Sequence, residues 1–122
     1  MRRLVFALVA TLLALLGVSA CSSTPAETID TTGAVVVDVR TPAEFAEGHL
    51  EGAVNIDVEN QVDFAAALIS LPKDQTYVVY CRSGNRSAAA TQQMVDSGFT
   101  DVTDAGGLQA ASNSTGLPIV SG

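Results

Sequence analysis

The chain has 122 residues, with six Lys or Arg against thirteen Asp or Glu, one His and a formal net charge of −7. That length allows one domain with a modest core. The acidic balance argues against a nucleic-acid partner, and one His with two Cys cannot make a structural zinc set, so neither metal nor cofactor is expected.

Residues 1–20 have the three parts of an export signal: cationic Met1-Arg2-Arg3, an apolar run from Leu4 to Val18, and small Ser19-Ala20. Thr11 and Gly17 interrupt the run. It is also shorter than the roughly 20 residues that cross a bilayer core, so a processed signal fits better than a mature membrane span. Val18-Ser19-Ala20-Cys21 resembles the bacterial lipobox, in which the Cys sulfur is acylated and becomes the new N-terminus. The resemblance implies a lipoprotein held by Cys21 to a membrane of the extracytoplasmic cell envelope. Without the signal, four Lys or Arg remain against thirteen Asp or Glu, a net of −9, so any local cationic cluster is conspicuous. An acylated Cys21 would also leave Cys81 as a lone thiol in an oxidising compartment, where an unpaired thiol is a liability unless it is buried or used.

Residues 21–32 are small and polar with no apolar period, and they read as a tether ahead of a domain spanning 33–122. From Gly33 on, strand-like and helix-like segments alternate, the pattern of an α/β domain with a central parallel sheet flanked by helices. Ala34 to Val39, β-branched along most of its length and apolar but for Asp38, is suited to a strand buried on both faces. Thr41-Pro42-Ala43-Glu44 then predicts a helix start, with Thr41 at the N-cap, Pro42 at the first helical position and Glu44 closing a capping box, and Gly48 ends that helix. Val54 to Ile56 is a short strand candidate, and Gln61 to Leu71 is a helix stopped by Pro72.

Thr76 to Tyr80 predicts the second main strand, and Ser87 to Ser97, closed by Gly98, the second main helix. A last short strand is expected at Asp101 to Thr103, ahead of Gly106-Gly107, and the tail from Gly116 to Val120 is read as irregular. Asp38 and Arg40 sit at a strand end and are assigned to architecture near the site, with Arg40 expected to pair with Glu44. His49 is expected to hydrogen-bond a turn, and Asp104 is placed near the rim without a role.

The chemistry gathers at the loop Cys81-Arg82-Ser83-Gly84-Asn85-Arg86. In an open parallel sheet, ligands sit outside the carboxyl ends of the strands, which is where Cys81 falls. The following helix points its free N–H groups back at that place, and a tight turn at Gly84 can aim further amides inward. Such a nest favours thiolate over thiol, and Arg82 and Arg86 add two of the four cations left in the domain. A depressed thiol pKa and a site for small anions are therefore expected. The competing reading, an inert buried Cys, leaves the arginines and the glycine without a purpose.

This loop resembles the active-site loop of the rhodanese family of single-domain sulfurtransferases. Asp38-Val39-Arg40-Thr41-Pro42-Ala43-Glu44-Phe45 and Gly48 to Ile56 are similar to that family's other signature, and with Gly106-Gly107 the likeness runs from Ala34 to Val120. The resemblance implies a thiosulfate sulfurtransferase-type enzyme: Cys81 takes a sulfane sulfur from a small anionic donor, holds it as a persulfide and passes it to a thiol or cyanide-like acceptor. Arg82, Ser83, Gly84, Asn85 and Arg86 would bind the donor. The alternative is a non-catalytic carrier or binding module of the same fold that receives sulfur from a relay protein. A phosphatase or arsenate reductase fits less well, because such relatives place one more residue between Cys and Arg to surround a larger oxyanion.

Overall fold

The computed structural model describes residues 27–122, so the signal segment and Cys21 lie outside the described residues. In chain order the elements are β1 (Val35–Asp38), α1 (Pro42–Glu47), β2 (His49–Leu50), β3 (Val54–Asn55), α2 (Gln61–Ser70), β4 (Thr76–Cys81), α3 (Asn85–Asp96), β5 (Asp101–Gly107), α4 (Leu108–Thr115) and β6 (Ile119–Val120). The main sheet has the order β3-β1-β4-β5, and every pairing in it is parallel. The fold is thus the expected α/β arrangement of a central parallel sheet flanked by helices.

Side-chain alternation along the two inner strands divides the core in two. Val37, Tyr77, Val79 and Cys81 join Phe64, Leu68, Met94 and Phe99 on one side of the sheet, while Val36, Val78 and Tyr80 join Leu50, Ala105 and Ala111 on the other. The inner strands are buried on both faces, which is why residues 35–37 and 77–81 read as unbroken apolar runs and not as alternating ones. Cys81 is therefore the last side chain of an apolar row, at the point where the strand runs out.

Helix α1 begins as predicted. Thr41 is the N-cap, its hydroxyl accepts from the Glu44 N–H at 3.3 Å, and the Glu44 carboxylate accepts from the Thr41 N–H at 3.1 Å. His49 keeps the structural role expected of it: its ring stacks on Phe45 at 3.7 Å between centroids, and Nδ1 lies 2.8 Å from the Phe45 carbonyl.

Four expectations need correction. The packed chain starts ahead of Gly33, because the Ile29 N–H donates to the Ser114 carbonyl at 2.8 Å and its side chain joins the Leu50–Ala111 cluster. The tail is not irregular: Ile119–Val120 pairs antiparallel with His49–Leu50, and α4 stands between Gly107 and the tail. Strand β5 runs to Gly107, past the expected Thr103, through a bulge opposite Val79 and Tyr80. Helix α3 starts at Asn85 and not at Ser87, because Gly84, at φ 104°, takes the left-handed turn that lets the helix begin inside the loop.

Candidate active site

Strand β4 delivers Cys81 to the carboxyl edge of the sheet, and the Gly84 turn folds the chain straight back over it. The Gly84 N–H donates to the Cys81 sulfur at 2.9 Å. Gly84 offers no side-chain cap to α3, so the first amides of that helix are left for whatever sits below them, and what sits there is the sulfur. Ser87, one turn into the helix and fully buried, places its hydroxyl 3.4 Å from Sγ and 3.1 Å from the Gly84 carbonyl. That hydroxyl can accept from the thiol or donate to the thiolate.

Two influences compete at the sulfur. Burial pushes the Cys81 thiol up, since an anion is costly in an apolar row. The Ser87 hydroxyl and the N–H groups of Ser87, Gly84 and Ser83 together outweigh it, and the thiol lies below its ordinary value. The direction and the part played by the amides match the sequence expectation; the Ser87 hydroxyl is the agent that expectation lacks, and arginine charge is not among the leading influences.

The two arginines are placed differently from each other. Arg86 grips Glu44 with both terminal nitrogens, Nη1 to Oε2 at 2.8 Å and Nη2 to Oε1 at 2.9 Å, with Glu59 at 3.3 Å from Nη1. Its charge is thus already paired with carboxylates. Arg82 and Ser83 are exposed at the mouth, and Asn85 is exposed as the first residue of α3. Among the described residues Arg82 forms no ion pair.

Arg40 likewise does not take Glu44. Its Nε and Nη2 embrace the Asp38 carboxylate, with Nη2 to Oδ2 at 2.6 Å, and Nη2 also donates to the Gly48 carbonyl at 2.6 Å. Both side chains are buried, so each serves to neutralise the other, the architectural role expected of them. The neighbouring Tyr80 hydroxyl accepts from the Leu50 N–H at 2.9 Å, tying β2 to the strand that carries Cys81. Asp104 stays at the surface, where its carboxylate accepts from the Gly106 N–H at 2.9 Å.

Glu44 consequently joins α1 to the active-site loop. The Arg86 guanidinium holds its carboxyl down to about 2, with help from the Thr41 donors. Because the folded pKa is depressed, the stabilisation is complete above the ordinary carboxylate pKa and is lost as pH falls through about 2. Glu44→Gln is expected to lose about 1 to 3 kcal/mol at neutral pH, the scale of charge-assisted contacts. In urea melts the deficit should shrink below pH 4 and close near pH 2. A deficit that does not vary with pH would mean that the charge is not what holds the loop.

A further feature closes the loop from behind. Gly107 ends β5 directly against it, and a Cβ at that position would lie 2.6 Å from the Arg82 carbonyl oxygen. Ser83 and Gly107 also form an isolated antiparallel bridge. Space thus explains Gly107, where the strand approaches too near for a side chain, whereas Gly106 faces open space and is explained by its left-handed backbone at φ 77°.

A parallel sheet carrying a buried, amide-cradled thiol at the carboxyl end of a central strand defines a domain class, and sequence comparison gives the same answer. The rhodanese-like domain family matches residues 25–113. The chain belongs to this family. Thiosulfate sulfurtransferase 16, chloroplastic, of Arabidopsis thaliana is 36% identical over 109 residues, covering 82% of this chain and 91% of that protein. A sulfurtransferase of Allochromatium vinosum is 36% identical over 91 residues, covering 75% and 82% respectively. Among solved structures, a rhodanese with anions from E. coli superposes with a TM-score of 0.59 at 30% identity, over 73% of this chain and 99% of that one.

Proposed function

We propose that this chain is a sulfurtransferase of the thiosulfate type, working through a persulfide on Cys81. The observation that carries the proposal is the 2.9 Å contact from the Gly84 N–H to a sulfur whose thiol is held below its ordinary value. The Cys81 thiolate attacks the sulfane sulfur of thiosulfate. A bond from Sγ to that sulfur forms while the sulfur–sulfur bond of the donor breaks, and its electron pair leaves with sulfite. The persulfide is again an anion, so the donors that favour the thiolate also favour the loaded state. Arg82 at the mouth attracts the anionic donor.

The test is intact mass. Thiosulfate should add one sulfur atom to the protein, and cyanide should remove it as thiocyanate. If no small donor loads the protein, while a persulfide-bearing partner protein does, the carrier reading replaces the enzyme.

We further propose that the domain is anchored outside the cytoplasm through acylated Cys21, a reading supported by Val18-Ser19-Ala20-Cys21 and the cationic and apolar segments before it. Cys21→Ser should abolish acylation and leave the protein in the soluble fraction. A wild-type protein found soluble with no lipid mass on Cys21 would end this proposal.

A further inference from the structure

Beside the active-site loop, at the carboxyl edge of the sheet, lies a cleft of about 270 Å³ lined by Arg40, Glu44, Glu47, Arg82, Leu108 and Ile119. It borders the loop directly, since Leu108 follows the Gly107 that abuts the Arg82 carbonyl. Its volume is just under the roughly 300–1,000 Å³ of sites for drug-sized ligands, so it suits something smaller.

The charges in this cleft cancel unevenly. Arg40 is paired with Asp38 at 2.6 Å and Glu44 with Arg86 at 2.8 Å. Arg82 and Glu47 remain, one cation and one anion, both exposed and both without an ion pair among the described residues. The apolar part of the lining is Leu108, half-buried, and Ile119, exposed. A dianion would be drawn by Arg82 and repelled by Glu47. A ligand with one charge of each sign, set on a short carbon frame, meets a partner for both.

We propose that this cleft is an acceptor subsite for a zwitterionic thiol of amino-acid size, its carboxylate on Arg82 and its ammonium on Glu47. The inference rests on the persulfide reading above. Cys81 is fully buried, so what an acceptor meets is the outer sulfur of the persulfide. The acceptor's sulfur attacks that atom, and a new sulfur–sulfur bond forms as the bond to Sγ breaks. The electron pair stays on Cys81 as thiolate, and the acceptor's thiol proton ends on the terminal sulfur of the new persulfide. No oxidant or reductant is consumed.

The experiment follows discharge of the loaded protein. Protein loaded with thiosulfate and freed of excess donor is mixed with L-cysteine, 3-mercaptopropionate, cysteamine or 2-mercaptoethanol at matched thiolate concentration, and loss of the extra sulfur is followed by intact mass. Exposed charge pairs contribute little each, so about threefold per matched charge is expected, and cysteine should discharge the protein about tenfold faster than 2-mercaptoethanol. Glu47→Gln should lower the cysteine to 3-mercaptopropionate rate ratio about threefold, and Arg82→Gln the cysteine to cysteamine ratio by a similar factor. Equal rates for all four thiols, or ratios that neither substitution moves, would overturn the proposal. If the protein never loads, the persulfide reading fails instead, and the cleft is judged on the unloaded protein with L-serine, the oxygen analogue of cysteine. Amide shifts at Glu47, Arg82 and Leu108 on serine titration would support the subsite, and their absence would overturn it.

Discussion

Cys81→Ser is expected to abolish sulfur loading: no mass gain with thiosulfate, and thiosulfate–cyanide turnover lower by at least about a thousandfold. The serine hydroxyl fits the same space but does not ionise near neutral pH, and an oxygen cannot form the persulfide. The fold should survive, because Cys81 is only the last member of an apolar row that includes Val37, Val79, Phe64 and Met94. Stability should change by no more than about 2 kcal/mol, the cost of a buried hydroxyl that still has Ser87 and Gly84 as neighbours. In wild type the loading rate should rise with pH, with its midpoint below that of an ordinary thiol. Linkage has the same sign: stability from the thiolate is complete above the unfolded thiol's pKa and is lost as pH falls through the lower folded one. Cys81→Ser should lack that dependence. Normal loading of the serine variant would place the sulfur elsewhere and end the assignment.

The second large effect is expected at Gly107→Ala. Gly107 has ordinary backbone angles, φ −78° and ψ 167°, so conformation does not forbid a side chain there. Space does: besides the Arg82 oxygen at 2.6 Å, the new Cβ would meet the Arg82 carbonyl carbon at 3.2 Å and the Ser83 Cα at 3.3 Å. All three are main-chain atoms that cannot rotate away, so either β5 or the loop must shift. Overpacking of this kind costs about 1 to 3 kcal/mol. The larger consequence is chemical, because a shifted loop takes the Gly84 N–H with it and the sulfur loses its nearest donor. Loading should fall about tenfold to a hundredfold, with the pH profile displaced upward. Gly52→Ala is the comparison, a left-handed glycine at φ 81° facing open space, which should cost stability without moving the profile. A Gly107→Ala protein with wild-type loading and stability would show that the loop tolerates displacement.

Much of this arrangement is legible in the residues. The two inner strands announce themselves because both faces are buried, and α1 because Thr41, Pro42 and Glu44 are local signals acting within one turn. What escapes is what depends on distant partners. Strand β6 and β2 are two residues each and exist only because they pair with one another, far apart in the chain. Helix α4 carries polar residues along much of its length and one fully buried side chain, Ala111, so its apolar face is too slight to read. The Arg86–Glu44 grip joins residues 42 positions apart, and nothing in the spacing around Arg86 distinguishes an arginine facing substrate from one held by a carboxylate. Ser87 was visible only as a helix position. A hydroxyl six residues after a nucleophilic Cys, at the start of a helix that folds back over it, is the signal that would have found it.

The position of Ile29 has a bearing on how the domain is joined to the chain ahead of it. Residues Glu27 to Asp30 lie beside Thr76 and Asp101, the first residues of β4 and β5, whereas Cys81 and Gly107 are the last residues of those strands. The chain therefore arrives at one pole of the sheet and the thiol opens at the other, separated by the six residues of β4, about 20 Å of strand. Whatever holds the chain ahead of residue 27 is therefore joined to the domain at the pole away from Cys81, and the described segment that leads in, residues 27 to 30, leaves the mouth of the loop uncovered.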